Sequence, residues 1–343
     1  MATRPISGSR VQIIFQVLVL GLLLLFLVNY KGTSGINKIR QVRASGFLTL
    51  APLQEASSSR ATAAFHDAAA YLKIVWPALL FGVLISAAVR ASLSRSPLDS
   101  IFGRGAIRDQ ITGALAGMPL MLCSCCVAPI FPSIYQKTRR IAPALALALA
   151  APSLNPVALT LSFILFPLRV AGGRLAMALI LILIGSAVVA RVEGSPKAGV
   201  NLGIAEPDSR WSDLLFSYAK SLLYVVSRTV PLVVFGIWVS MWIMRLLPVG
   251  TLGVMAGGQA FGIAIVALLA VLLTLPSLFE IPLAMSVLAA GGPLGAAAAV
   301  LFAGPAINLP SLLVIGRYSS WKVAVALASL IWLIAAGGGI LIR

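Results

Sequence analysis

The chain has 343 residues, of which 60% are hydrophobic and only 10% are charged, and its formal net charge is +17. A soluble globular domain carries about 25% charged residues, so this composition excludes an ordinary soluble fold. The 26 basic residues are spread over short connections, which argues against nucleic-acid binding and favours contact with anionic lipid headgroups.

Long apolar runs recur along the chain, and each approaches the ~20 residues that a helix needs to cross a bilayer. The runs predict an all-α, multi-pass protein of the cell (inner) membrane, with about eight or nine hydrophobic segments. The first run, 11–29, follows a short basic start and is predicted to be a retained span. A cleaved signal peptide is the alternative, which the long apolar core disfavours. The polar stretch 30–68 could contain an interfacial helix.

The later apolar segments follow in chain order, and some of them could be re-entrant rather than spanning. Basic residues are nearly balanced between the two possible orientations, so the positive-inside rule does not fix the topology. A polar connection at 192–214 divides the series. The predicted segments are 69–92, 110–136, 141–166, 170–191, 215–246, 256–289, 294–316 and 321–342.

The two apolar parts of the chain share a sequence pattern. The motif APSLNP at 151–156 aligns with GPAINL at 304–309, and the same register aligns Ser124 with Ser277. Duplicated halves are common in secondary transporters, which bind their substrate near the bilayer midplane. We predict duplicated helical repeats, parallel or inverted, within this division of the chain: 1–68 (first span and polar connection), 69–191 (repeat 1), 192–214 (linker) and 215–343 (repeat 2).

Each repeat contains a Pro-x-x-Asn motif, Pro152 with Asn155 and Pro305 with Asn308. Proline removes a backbone donor and clashes with the preceding helical turn. In a membrane the freed carbonyl groups must be covered by protein or face a cavity. The paired motifs predict two broken helices that meet at one site, with each Asn lining it. The alternative is that each Asn only caps an interrupted helix.

All three cysteines lie in the stretch LCSCCVAP at 122–129. A regular helix would direct Cys125 away from Cys123 and Cys126, whereas local unwinding before Pro129 would let the three converge. Thiolates prefer soft centres such as Cu(I) and Zn, and trivalent arsenic is soft too. Cys123, Cys125 and Cys126 are therefore predicted to bind a soft ion or thiophile, with structural packing as the alternative.

Glu280 is the acidic residue that lies inside an apolar segment. A carboxylate at membrane depth costs at least ~2.5 kcal/mol and normally faces a cavity or a partner. The repeat alignment places Glu280 opposite Val127, so it could share a cavity with the cysteines. We predict that Glu280 couples transport to protons. The alternative is a structural ion pair with Lys73 or Arg228.

The stretch LCSCCVAPIFPSIYQKTRRIAPALALALAAPSLNPVAL resembles the signature of the ArsP/YraQ family of predicted permeases, and the resemblance covers all but the first 65 or so residues. The family includes efflux permeases for trivalent organoarsenicals. The resemblance implies that Cys123, Ser124 and Cys125 form the cysteine motif, and that the two Pro-x-x-Asn motifs are functional. Cys126 departs from the pattern, since members often have Gly or Ser there.

These observations predict a permease that exports a thiophilic solute, such as a trivalent arsenical or a soft metal ion, and so confers arsenic resistance. The alternative is a membrane thiol-based redox or metal sensor, or an accessory component. No enzyme activity and no cofactor are expected, because no acid–base set gathers around the cysteines. Lipids and a small thiophilic solute are the expected partners, with no nucleic acid, and a homo-oligomer is left open. The predicted binding residues are Cys123, Ser124, Cys125, Cys126, Pro152, Asn155, Ser277, Pro305 and Asn308.

Overall fold

The computed structural model describes residues 7–45, 60–92, 106–193, 211–246, 260–275 and 278–342, and these residues form helices joined by short connections, with no strand among them. The helices are α1 (Ser7–Ser45), α2 (Arg60–Ser92), α3 (Ala106–Gly117), α4 (Ser124–Val127), α5 (Ile130–Thr138), α6 (Ile141–Ser153), α7 (Pro156–Leu165), α8 (Leu168–Ile180), α9 (Ser186–Glu193), α10 (Trp211–Arg228), α11 (Val230–Leu246), α12 (Ala260–Leu272), α13 (Glu280–Ala289), α14 (Leu294–Ala306), α15 (Leu309–Tyr318) and α16 (Trp321–Leu341).

Within this described part, five stretches are long and apolar enough to cross a membrane: Val17–Ala44, Ala64–Ala91, Leu168–Glu193, Ser212–Ile243 and Trp321–Leu341. The number rises to seven if the bent pairs α6–α7 and α14–α15 each count as one span. The predicted all-α, multi-pass membrane fold is confirmed.

Helix α1 is longer than the sequence indicated, because it continues past residue 29 to Ser45. Its polar half packs against α7, and the chain comes so close there that a β-carbon at Gly35 would collide with the Val157 side chain. Leu27 and Val42 are fully buried in the same contact face. Close packing therefore stabilises a helix that composition alone would end earlier.

The predicted segments 110–136 and 256–289 are each interrupted instead of continuous. The first breaks after α3, where Met121 adopts a left-handed backbone with φ of 48°, and helix resumes only at Ser124. The second breaks between α12 and α13, with Leu278 at φ of 75°. Such interruptions leave backbone groups without helical partners, which a membrane tolerates only inside protein or beside a cavity.

The two Pro-x-x-Asn motifs bend the helices that contain them. The axis turns by 43° between α6 and α7 and by 45° between α14 and α15. The two parts of the chain, 60–193 and 211–342, thus each contain one bent helix pair. The pair occupies a corresponding place in the order of helices of each part. This order is what a duplication would produce, although the repeat itself remains a prediction.

Helices α6 and α14 form the centre of the bundle. Both are rich in alanine and buried on nearly every side, with Ala144, Ala150, Ala297 and Ala299 fully covered. Helix α14 packs against α6 and α8 of the N-terminal part as well as against its own neighbours. Small side chains let helix backbones approach closely in a membrane, so these two helices join the two parts.

Candidate functional site

A narrow buried cavity lies where the helix interruptions of both parts meet. All four breaks contribute to it: the turn before α4, the α6–α7 bend, the α12–α13 break and the end of α14. Its volume is ≈ 10 Å³, which is about the space of one water molecule. The conformation is therefore occluded, and a solute can enter only after the helices move. The cavity is lined by Leu122, Cys123, Ser124, Pro152, Asn155, Leu275, Leu278, Glu280 and Pro305.

The three cysteine sulfurs converge beside this cavity, within 4.8 Å of one another. The backbone at Cys123 is extended, and α4 begins at the next residue, so the chain unwinds where the sulfurs gather. Cys125 Sγ lies 3.1 Å from Cys123 Sγ and 3.8 Å from Cys126 Sγ, while Cys123 and Cys126 are joined as a disulfide. All three are buried. Three sulfurs this close can bind one soft centre once the disulfide is reduced.

Tyr71 on α2 links this sulfur cluster to the C-terminal part of the chain. Its hydroxyl donates to the backbone carbonyl of Leu275 at 3.2 Å and lies 3.6 Å from Cys125 Sγ. The side chain is fully buried. Sequence analysis missed Tyr71, since a tyrosine early in an apolar segment is also typical of an interfacial anchor.

Helix α2 reaches the cysteines through a close backbone contact at Gly82. A β-carbon there would overlap the backbone carbonyl oxygen of Cys126. A backbone atom cannot move aside in the way that the end of a flexible side chain can. We expect Gly82→Ala to lower the thermal unfolding midpoint of the purified protein, because α2 must shift away from α4. Gly172→Ala is the matched control, since nothing lies within 4 Å of a β-carbon at that position. An equal midpoint for both variants would contradict this packing argument.

The two asparagines of the Pro-x-x-Asn motifs both cap the helix that follows them. Asn155 Oδ1 accepts from the backbone amides of Val157 at 3.0 Å and Ala158 at 3.4 Å. Asn308 Oδ1 accepts from the backbone amide of Ser311 at 3.2 Å and from its hydroxyl at 2.8 Å. Asn155 also lines the cavity, whereas Asn308 does not. The Nδ2 of Asn308 is nevertheless buried and has no hydrogen-bond partner.

Glu280 forms a buried ion pair with Arg174, not with Lys73 or Arg228. Arg174 on α8 donates to Glu280 Oε1 at 3.2 Å and to the Ser162 hydroxyl at 2.6 Å. Both charged side chains are at most 3% exposed. The pair connects the N-terminal part to the first residue of α13, and Glu280 itself lines the cavity. Arg174 was missed, although a basic residue inside an apolar segment was a signal of the same kind as Glu280.

The structure therefore brings six predicted residues to the cavity: Cys123, Ser124, Pro152, Asn155, Glu280 and Pro305. Cys125 and Cys126 belong to the sulfur cluster with Cys123 but do not line the cavity. Asn308 lies at the α14–α15 bend, as the N-cap of α15. Ser277 falls outside the described residues.

A larger groove of ≈ 1100 Å³ lies on the surface between α2, α10 and α11. Phe65, Val234, Phe235 and Trp238 dominate its lining, which contains no ionisable or thiol side chain. In a membrane-spanning bundle an apolar face of this kind contacts lipid, and it offers none of the thiol groups that bind a soft ion.

Comparison with known proteins agrees with this architecture. Residues 61–343 match the ArsP_1 family, described as "Predicted permease". The chain is 25% identical to UPF0718 protein YraQ of Escherichia coli (strain K12) over 274 residues, which cover 77% of this chain and 76% of that protein. It is 33% identical to UPF0718 protein MJ0584 of Methanocaldococcus jannaschii over 95 residues, 27% of this chain and 26% of that protein. No solved structure matches the chain. The matched region contains the cysteine cluster, both Pro-x-x-Asn motifs and Glu280, and the chain belongs to the ArsP_1 family of predicted permeases.

Proposed function

We propose that this permease is a secondary transporter of the inner membrane that exports a thiophilic solute, a trivalent arsenical or a soft metal ion. The observation that carries the proposal is the gathering of three cysteine sulfurs within 4.8 Å, next to a cavity lined from both parts of the chain. Membership of a permease family supports transport, and the sulfurs support the class of solute.

In the proposed mechanism, the repeats 69–191 and 215–343 move against each other to open the occluded cavity to either side. The solute's soft centre binds to Cys123, Cys125 and Cys126 after the Cys123–Cys126 disulfide has been reduced to two thiols by a cellular dithiol. Ser124, Asn155 and Asn308 would offer hydrogen bonds, and Glu280 would take up and release the coupling proton. The interruptions at the two bends would act as the hinges, because they carry few helical hydrogen bonds.

A second function is favoured by one specific observation, the pairing of Cys123 with Cys126 as a disulfide. A membrane thiol sensor would alternate between this disulfide and two free thiols. Such a sensor needs the cysteines but has no use for a solute cavity lined by Pro152, Asn155 and Pro305. Replacing the asparagines therefore separates the two functions, since transport should fail and thiol sensing should persist.

The proposed function predicts that the chain lowers arsenical retention in cells. We expect cells without their own arsenic exporters to retain less arsenite or methylarsenite when they express the chain. Cys123→Ser/Cys125→Ser should abolish the difference, because the one remaining sulfur cannot form the two As–S bonds that even methylarsenite needs. Retention of the arsenical is measured over time, with membrane content of both proteins checked by immunoblot. Unchanged retention of both solutes, with the protein present in the membrane, would contradict arsenical export.

A further inference from the structure

Helix α1 presents a regular stripe of residues to the rest of the bundle. Every third or fourth side chain from residue 20 to residue 42 is buried or partly buried, and thirteen of the other sixteen residues are exposed. Leu27 and Val42 on this stripe are fully covered, and Gly35 lies against Val157. The stripe consists of Leu20, Leu24, Leu27, Lys31, Gly35, Lys38 and Val42.

Two positively charged residues therefore lie on the inward face of α1. Lys31 follows Leu27 by one turn, and Lys38 lies between Gly35 and Val42 on the same stripe. Residues spaced four and three apart along a helix share one face, so both lysines lie on the face that contacts the bundle.

This face of α1 lies against the elements that form the cavity. It packs on α7, which starts one residue after Asn155, and on the 3₁₀ turn Met118–Leu120, which leads to the cysteines. Lys31 lies within electrostatic range of Cys125, and Lys38 lies within electrostatic range of Glu280. The two lysines thus border the sulfur cluster and the cavity from the side of α1.

The charges around the cavity do not balance. Arg174 already neutralises Glu280 at 3.2 Å, and neither Lys31 nor Lys38 forms an ion pair among the described residues. Partly buried ammonium groups that have only a carboxylate already paired with Arg174 nearby are costly, and an anion at the site would offset that cost.

We propose that Lys31 and Lys38 form a cationic rim of the thiol cavity, and that the solute is a thiophilic anion: a trivalent arsenic centre that also carries a carboxylate or oxyanion group. This inference rests on the proposed function, because it assumes that the cysteines hold the soft centre. The sulfurs select softness, and the ammonium groups select negative charge. Helix α1 precedes residues 61–343, so this selectivity comes from outside the region that matches the family.

The test compares two arsenicals that share a thiol-reactive group and differ by one charge: phenylarsine oxide and 4-carboxyphenylarsine oxide. Each hydrated probe exchanges two As–OH groups for two As–S bonds and releases two waters. Binding to the full-length protein, purified in detergent and reduced with a phosphine, is measured by titration calorimetry. We expect the carboxylate to bind about tenfold more tightly, with a preference that falls as salt is raised. Equal affinities for the wild-type protein would overturn the proposal.

Variants of α1 separate this rim from a general charge effect. The double variant Lys31→Met/Lys38→Met should lose the preference and keep its affinity for the neutral probe, which also shows that it is folded. Lys31→Arg/Lys38→Arg should retain the preference. The matched control Arg40→Met/Arg43→Met removes the same charge from the exposed side of the same helix and should behave as wild type.

The outcomes also distinguish this proposal from the proposed function. The preference for the carboxylate probe could survive in Lys31→Met/Lys38→Met, which would mean that the lysines extend to the lipid headgroups. The proposed cationic rim would then be wrong, whereas binding of the probes to the cysteines would be unaffected. Neutral-probe affinity that is unaffected by Cys123→Ser/Cys126→Ser, which leaves one thiol for a probe that needs two, would instead contradict the role of the cysteines, and with it the proposed function.

Discussion

Arg174→Met is expected to destabilise the permease by about 3–5 kcal/mol, because it leaves the Glu280 carboxylate buried without its counter-charge. Arg174 donates to both Glu280 and Ser162, so its loss also removes the contact that ties α8 to α7 and α13. The measurement is the free energy of unfolding in mixed micelles, or the shift in thermal midpoint where unfolding is irreversible. Arg169→Met is the control, because Arg169 lies on the same helix α8, is exposed, and forms no ion pair among the described residues. Removing an exposed charge usually changes stability little, so a much smaller loss is expected.

Replacing both partners separates stability from transport. Arg174→Met/Glu280→Leu should recover most of the lost stability, because a buried ion pair can often be exchanged for apolar side chains at little cost. Export by this double variant should nevertheless fail, as should export by Glu280→Gln, because no group remains at the cavity to carry the proton. The readout is export from vesicles with an imposed pH gradient. If the stable double variant responded to that gradient as the wild type does, the coupling role of Glu280 would be wrong and the pair would be structural.

The sequence predicted the residues of the cavity better than the shape of the helices around it. Pro152, Asn155, Pro305 and Glu280 stand out because a helix breaker or a charge is costly in an apolar segment, wherever the segment lies. The interruption at Met121 and the extension of α1 to Ser45 depend instead on what packs against them. Hydropathy averages over a window, and it detects neither a left-handed residue nor a close backbone contact.

Arg174 and Lys31 were missed for a different reason. Composition as a whole indicates basic residues in connections and at lipid headgroups, whereas the position of Arg174 within the apolar segment 170–191 indicates a buried charge. Lys31 lies at the end of an apolar run, where a lysine commonly extends to the membrane surface. Only the packing of α1 on α7 and on the Met118–Leu120 turn brings it within electrostatic range of Cys125.

Substitutions of the two asparagines distinguish helix capping from solute binding most clearly. Serine can take over the capping role of asparagine but not its role as an amide donor to the solute. A serine caps a helix about as well as asparagine, whereas alanine in its place costs about 0.5–2 kcal/mol. Serine has no amide N–H group to offer a solute. We therefore expect Asn155→Ser to keep its thermal midpoint and to export about five- to tenfold more slowly, the loss of one hydrogen bond in the transport cycle. Asn155→Ala should lose both stability and export.

Asn308→Ser should behave in the same way, although Asn308 does not line the cavity in the occluded conformation. Its Nδ2 is buried without a partner, and we expect that donor to become available to the solute when the α14–α15 bend opens. Ser320→Ala is the matched control: Ser320 caps α16 by accepting from the Val323 amide at 3.2 Å, away from the cavity, so its loss should lower the midpoint and leave export unchanged. If the Asn155→Ser and Asn308→Ser variants both exported the solute at the wild-type rate, the two asparagine side chains would serve only as helix caps. Solute recognition would then rest on the sulfurs and the charged groups around them.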